Sequence, residues 1–262
     1  MGRRLMAALG HRDWPDKLWI VRHGQSAGNV ARDAAELAGA SMIDIATRDA
    51  DTPLSELGAQ QARALGEWFA AQPEEERPNV LMCSPFVRAQ QTCAAVAESG
   101  GHDPRDTLVD ERLREKEFGI LDRYTRQGIV QKFPELAAQR ALVGKFYFRP
   151  PGGESWCDVI LRLRSVVETV TREYRGERVL VVSHQVIVNC FRYLFERLDE
   201  EAILAIDRAE DVPNCGVVGY EFDPQVGKNG KLVLRMENFV APLKDSGTPV
   251  TVKPDIPAAP KS

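Results

Sequence analysis

The chain has 262 residues, 44% hydrophobic and 27% charged, which suits one large α/β domain with an ordinary globular core. A formal net charge of -4 gives no reason to expect nucleic acid or an anionic membrane surface as a partner. The cysteines, Cys83, Cys93, Cys157, Cys190 and Cys215, are widely spaced with no C-x-x-C. Neither a zinc site nor a disulfide framework is indicated, and buried thiols in a reducing, cytoplasmic setting fit best.

Residues 1–16 read as a flexible tail, because Arg3-Arg4 precede only a short apolar run, too short for a signal-peptide core. Leu18-Trp19-Ile20-Val21 has the length of a strand buried on both faces. It stops at Arg22-His23-Gly24-Gln25-Ser26-Ala27-Gly28-Asn29, a glycine-containing turn that lets backbone N–H groups approach a ligand as the next helix begins. Ser26 is the expected cap of that helix, which frays into a surface excursion between Arg32 and Thr52. A second helix starts near Leu54-Ser55, with Leu57, Ala62, Leu65 and Phe69 on one face, and ends before the Pro73 to Pro78 turn.

Asn79 to Cys83 is a second short strand, followed by Ser84 as expected N-cap, Pro85 at the first helical position, Arg88 one turn in, and a helix to about Glu98. After Leu108-Val109 comes a charged loop, Asp110 to Gly119, anchored by Leu113 and Phe118. Residues 119–151 have weak helical order and read as a lid. They carry Tyr124, Phe133, Phe146, Tyr147 and Phe148 beside Arg123, Arg126, Lys132, Lys145 and Arg149. These side chains either select the substrate's leaving group or simply pack the lid onto the core.

A long helix follows Pro151-Gly152-Gly153-Glu154-Ser155, with Val159, Leu163, Val166, Val170 and Tyr174 as its core face. Arg178 to Val182 is the most β-branched run and reads as a central strand ending at Ser183-His184-Gln185. A helix through Ile187 and Leu194 comes next, then strands at Gly216–Phe222 and Lys231–Met236. From Ala241 onward the prolines predict a disordered tail, which leaves a single domain over 17–240. Alternating strands and helices predict a three-layer α/β sandwich, a mostly parallel sheet with helices on both faces.

Three strands thus end at Arg22-His23, at Ser84 with Arg88 beyond, and at Ser183-His184. In an open parallel sheet those ends share one carboxyl edge, where ligands bind. Two arginines and two histidines there make a poor core but a good cage for a dianionic tetrahedral group. Arg22 and Arg88 offer forked donors to equatorial oxygens, a protonated His184 adds another, and Asn29, Gln25 and the Gln185 backbone are secondary phosphate contacts. No metal and no cofactor are called for. His11 and His102 lie in unpatterned polar surroundings and receive no role.

The Arg22-His23-Gly24 turn, Leu54 to Ala62, the Leu113-Arg114-Glu115-x-x-Phe118-Gly119 segment and Ser183-His184 together resemble the histidine phosphatase superfamily, the phosphoglycerate mutase-like proteins. The resemblance implies that His23 is the nucleophile and that Glu115, rather than Glu111 or Glu117, is the acid. The family's usual Ser-His-Gly is Ser183-His184-Gln185 here. The implied activity is metal-independent hydrolysis of a small phosphorylated metabolite through a phosphohistidine. The alternatives are a phosphoglycerate mutase and a phosphate-binding scaffold without turnover. Substrate and oligomeric state, homodimer or not, stay open.

Overall fold

The computed structural model describes residues 13–252. Six strands form one sheet in the order β3-β2-β4-β1-β5-β6: β1 (Lys17–Arg22), β2 (Val80–Cys83), β3 (Leu108–Val109), β4 (Arg178–Ser183), β5 (Val217–Asp223) and β6 (Lys231–Phe239). The first four run parallel, while β5 is antiparallel to β1 and β6 to β5. The sheet is therefore mixed: the expected parallel part runs from the edge strand β3 to β1, and the antiparallel β5 and β6 complete the other side.

Side-chain alternation splits the core into two layers. Leu18 and Ile20 of β1, with Val179 and Val181 of β4, pack under α6 (Trp156–Glu173) and α7 (Gln185–Glu196). Trp19 and Val21, with Leu180 and Val182, pack under α2 (Glu56–Ala70) and α3 (Val87–Ser99). Both layers are fully buried along these strands, so a Leu-to-Ala truncation here costs about 2–5 kcal/mol. The expected three layers are present.

Ser26 caps α1 (Ala27–Leu37) as expected, in a capping box in which its hydroxyl accepts from the Asn29 N–H and the Asn29 side chain accepts from the Ser26 N–H. Ser84, by contrast, does not cap the helix after it: α3 begins at Val87, with Phe86 in the cap position and no side-chain bond there. The Ser84 hydroxyl is engaged elsewhere, as shown below. Three helices lacked a clear sequence signal: α4 (Arg126–Lys132), α5 (Pro134–Val143) and α8 (Glu200–Ala209).

The expected lid aromatics are mainly packing groups. Tyr124 and Phe133 sit on a small cluster of Leu121, Ile129 and Phe148, and Phe146 enters the core under α6. Among the cations, Arg149 pairs with Asp158 and Lys145 with Asp207.

Both termini depart from the sequence reading. Residues 1–12 and 253–262 lie outside the described residues, but Trp14 packs edge-on against Phe195 and its carbonyl accepts from the Gly176 N–H, so the N-terminal boundary falls before it. After Val240 the chain forms α9 (Ala241–Asp245), with Leu243 fully buried, and residues up to 251 are tied to the site. The prolines and the low apolar content of this stretch pointed to disorder; Leu243 and Val250 supply the apolar anchors that outweigh them.

Candidate active site

Sheet register sets the two site histidines side by side. Arg22 pairs with Ser183 across β1 and β4, and the His23 N–H donates to the Ser183 carbonyl at 2.9 Å. His23 and His184 therefore leave adjacent strands together, with ring centroids 5.1 Å apart. Both side chains are fully buried.

The protonation of His23 follows from its neighbours. Arg88 Nε, which can only donate, lies 3.1 Å from His23 Nε2, while Nδ1 lies 2.6 Å from the Gly24 carbonyl, which can only accept. Nδ1 therefore carries the hydrogen and Nε2 presents its lone pair. Asn214 Nδ2 donates to the His23 carbonyl at 3.1 Å, fixing the backbone as well.

Arg88 enters from the second residue of α3 and is almost fully buried. Its Nη1 donates to the Asp49 carbonyl at 2.6 Å and lies 3.0 Å from Asp49 Oδ1. A carboxylate thus occupies the guanidinium fork that a phosphate would use. Asp49 belongs to a short 3₁₀ turn, Asp49–Asp51, in the excursion between α1 and α2. That excursion is pinned to the 119–151 segment: the Ile43 N–H donates to the Arg123 carbonyl, and Arg123 donates to the carbonyls of Ile45 and Thr47. Arg123 holds φ at 64° to make this reach.

The cleft beneath is lined by Asn29, Arg32, Ile43, Ile45, Asp49, Arg88, Glu115, Phe118, Asp122 and Arg123, with only about 40 Å³ of free space. That is close to the volume of one water. Burial, and then the charge of Asp49, push the Asp122 carboxyl up from its ordinary value. A wider cleft, about 940 Å³, lies away from this chemistry, around Trp14, Arg164, Arg175, Phe195 and Lys231.

Because Asp49 competes for Arg88, only the fraction of molecules with the fork open can bind phosphate, and apparent affinity falls by that fraction. Asp49→Ala should lower KM for a phosphomonoester by about threefold or more, with kcat little changed. A KM that rises while kcat falls would mean that Asp49 aims Arg88 rather than blocks it.

Glu115 also lines the cleft and is 2% exposed, its Oε1 accepting from the Lys116 N–H at 2.7 Å. Its loop is clamped by Arg162 of α6, which donates to the carbonyls of Arg112, Arg114 and Glu115. Glu154 in turn accepts from Arg162 at 2.9 Å; burial alone would push its carboxyl up, but the Arg162 bonds hold it below the usual range. Ser183 Oγ ties the same loop to the sheet by donating to the Leu113 carbonyl.

Burial lowers the Lys116 ammonium to about 8 even though Glu115 and Glu154 oppose the fall. Below pH 8 both folded and unfolded chains hold this proton, and the burial penalty, of order 3 kcal/mol for a drop of this size, remains in full. Between about pH 8 and 10.5 the folded chain has released the proton and the unfolded chain has not, so the Lys116 contribution turns toward folding as pH rises. Lys116→Met should therefore be more stable than the parent at pH 7, by a margin that shrinks toward pH 10. Denaturant melts at both pH values measure it, and a margin constant with pH would refute it.

Arg88 links the two groups of predicted site residues: it donates to His23, which has His184 beside it, and it lines the cleft shared by Asn29 and Glu115. Arg22 stands buried beside them, its Nη1 donating to the Val212 carbonyl at 2.6 Å. The Gln25 side chain is turned to Ser55, whose hydroxyl donates to it at 2.8 Å, and the Gln185 side chain is turned to Asp211. α7 begins at Gln185, the kind of helix end at which a backbone contact to an anion is expected. His102 falls in the turn after α3. His11 lies outside the described residues.

Sequence reasoning missed three groups. His184 Nε2 lies 2.8 Å from Ser84 Oγ, which explains why Ser84 is not a cap. Asp49 and Arg32 were hidden in a stretch without periodicity. The resemblance to a strand-end phosphate cage could have prompted a search for charges in that excursion, but no local pattern singled them out.

Comparison with known proteins agrees with this geometry. A family model, the histidine phosphatase superfamily (branch 1), matches residues 18–233. A 6-phosphofructo-2-kinase/fructose-2,6-bisphosphatase of Caenorhabditis elegans is 35% identical over 185 residues, 70% of this chain but only 35% of that protein. The chain thus spans about a third of that relative. A 2,3-bisphosphoglycerate-dependent phosphoglycerate mutase of Azorhizobium caulinodans is 32% identical over 199 residues, 75% of this chain and 89% of the mutase. Among solved structures, a mycobacterial glucosyl-3-phosphoglycerate phosphatase in complex with inorganic phosphate superposes with a TM-score of 0.66 at 25% identity, covering 87% of this chain and 99% of that one. With the paired histidines, the arginine fork and a match over most of its length, the chain belongs to the histidine phosphatase superfamily.

Proposed function

We propose that the protein hydrolyses a small phosphomonoester, without a metal, by two in-line transfers through His23. The observation that carries this is the His23 ring itself: Nδ1 is committed to the Gly24 carbonyl, so Nε2 offers a lone pair at the mouth of the Arg88 fork. In the first transfer Nε2 attacks phosphorus, the ester P–O bond breaks, and the leaving oxygen takes its proton from Glu115. In the second, Glu115 as carboxylate takes a proton from water, the hydroxide oxygen attacks phosphorus, and the P–N bond breaks to return the electron pair to Nε2.

Arg22, Arg88 and His184 bear the charge on the equatorial oxygens, with Asn29 and the Gln185 backbone as further donors, while the Gln25 N–H is spent on Gln61 Oε1. Loss of one such donor costs about 3 kcal/mol of barrier. The mutase named above favours a second reading, in which the phosphoryl group returns to the organic product instead of passing to water.

The test is turnover by the purified full chain of p-nitrophenyl phosphate and of 3-phosphoglycerate, scored for free phosphate and for isomerised phosphoglycerate. Free phosphate from both, unaffected by EDTA and inhibited by vanadate, is the expected result. Isomerised product in excess of phosphate would establish the mutase reading, and no turnover of any phosphorylated metabolite would leave a binding protein.

A further inference from the structure

Arg32 is 1% exposed, and its only hydrogen bond among the described residues runs from Nη2 to Asp33 Oδ1 at 3.2 Å. Its Nε and Nη1 are buried without a hydrogen-bond partner. Placing a guanidinium out of water with most of its donors idle is costly, and structural arginines are rarely left so. Arg162 of α6 shows the contrast by spending its donors on backbone carbonyls and Glu154.

Location gives those idle donors a use. Arg32 lines the cleft that also holds Arg88 and Glu115. It lies three residues beyond Asn29 on α1, hence on the same helix face, and Cβ atoms so related are about 5–6 Å apart. The two carboxylates of Asp49 and Asp122 in the cleft lie on the covering segments rather than on α1.

We propose that Arg32 is a specificity residue that grips a second anionic group on the substrate, a carboxylate or another phosphate, one helical turn from the phosphoryl group held at His23. The proposal rests on the phosphomonoesterase reading for the first group only. It restricts the substrate to a compact ester bearing two anions a few bonds apart, because a longer spacer would overshoot Arg32. An ester without the second anion leaves the guanidinium buried and idle, so selectivity arises as much from that penalty as from the bonds made to the anion.

The test compares 3-phosphoglycerate with glycerol 3-phosphate, which replaces the carboxylate by a neutral hydroxymethyl group. Titration calorimetry on the full chain carrying His23→Ala measures binding without turnover, and the same chain with Arg32→Met or Arg32→Lys added isolates the guanidinium. With Arg32 present, 3-phosphoglycerate should bind at least tenfold tighter. Arg32→Met should bring the ratio close to one while leaving glycerol 3-phosphate within twofold, and Arg32→Lys, which keeps a charge without the fork, should fall between.

Equal binding of the two compounds with Arg32 intact, a preference that survives Arg32→Met, or no binding of either overturns the proposal. If Arg32→Met does not fold, as its melting temperature would show, Arg32→Lys decides by the same ratio, an unchanged preference counting against the proposal. Turnover of p-nitrophenyl phosphate by the unmodified chain separates the two readings: its absence tells against hydrolysis and leaves the binding ratio standing, while turnover with a flat ratio does the reverse.

Discussion

His23→Ala lowers kcat for phosphomonoester hydrolysis by at least about 10⁴-fold, because losing a covalent nucleophile removes the step on which the others act. Both nitrogens of the His23 ring are assigned by fixed neighbours, a carbonyl acceptor at Nδ1 and a guanidinium donor at Nε2. His184 sits 5.1 Å away but faces Ser84 through Nε2, so its removal should cost less, roughly 10²–10³-fold. The check is a neutral quench of the working enzyme followed by mass spectrometry. Phosphate on any residue other than His23, or near-normal kcat in His23→Ala, would remove His23 from the role.

The second large effect comes from a residue with no side chain. Gly58 lies in the first turn of α2 against the backbone of the phosphate turn: a Cβ there would overlap the Gln25 carbonyl and come within 2.9 Å of its nitrogen. Gly24 faces it, where a Cβ would lie 2.5 Å from the Gly58 carbonyl. Elsewhere in a helix, Gly to Ala gains about 1 kcal/mol. Here overpacking against backbone, about 3 kcal/mol, outweighs that gain. Gly58→Ala should lose about 2 kcal/mol net, or roughly 4–8 °C in Tm. Activity should fall further, since a shift of about 1 Å in a reacting group costs on the order of 10²-fold. A variant as stable and active as the parent would show that the contact relaxes freely.

What the sequence revealed divides along physical lines. Strands β1 and β4 were readable because a run buried on both faces has to be apolar throughout, and His23 and His184 stood out as polar groups where such runs stop. Glu115 was reachable only through the resemblance, since its loop holds several carboxylates and charge alone does not rank them. The third helix start misled because Ser84 has the chemistry of a cap but a better partner 100 residues away, His184, and propensity sees only neighbours. Arg32 and Asp49 were invisible for a related reason: the burial of Arg32 and the Arg88 partner of Asp49 come from segments that local pattern does not see, while α5 has no buried residue to mark a face. The tail after Ala241 was misjudged by composition. Pro249 and Thr251 in fact accept from Gln61, which also accepts from the Gln25 N–H, and Thr251 donates to the Asn214 side chain that holds His23.

The order of strands has a consequence for how the protein comes into being. β1 is made first yet lies in the middle of the sheet, with Lys17 paired to Arg178 on one side and to Glu221 on the other. While the ribosome is still translating the middle of the chain, Leu18 to Val21 therefore have no strand to pair with, and both edges of an apolar ribbon stay open. Such long-range pairing folds slowly, because loop closure must precede any gain from contact. The nascent chain is thus exposed to association with its copies until β4 and β5 emerge, and a message cut short before residue 178 yields an aggregating fragment rather than a smaller domain.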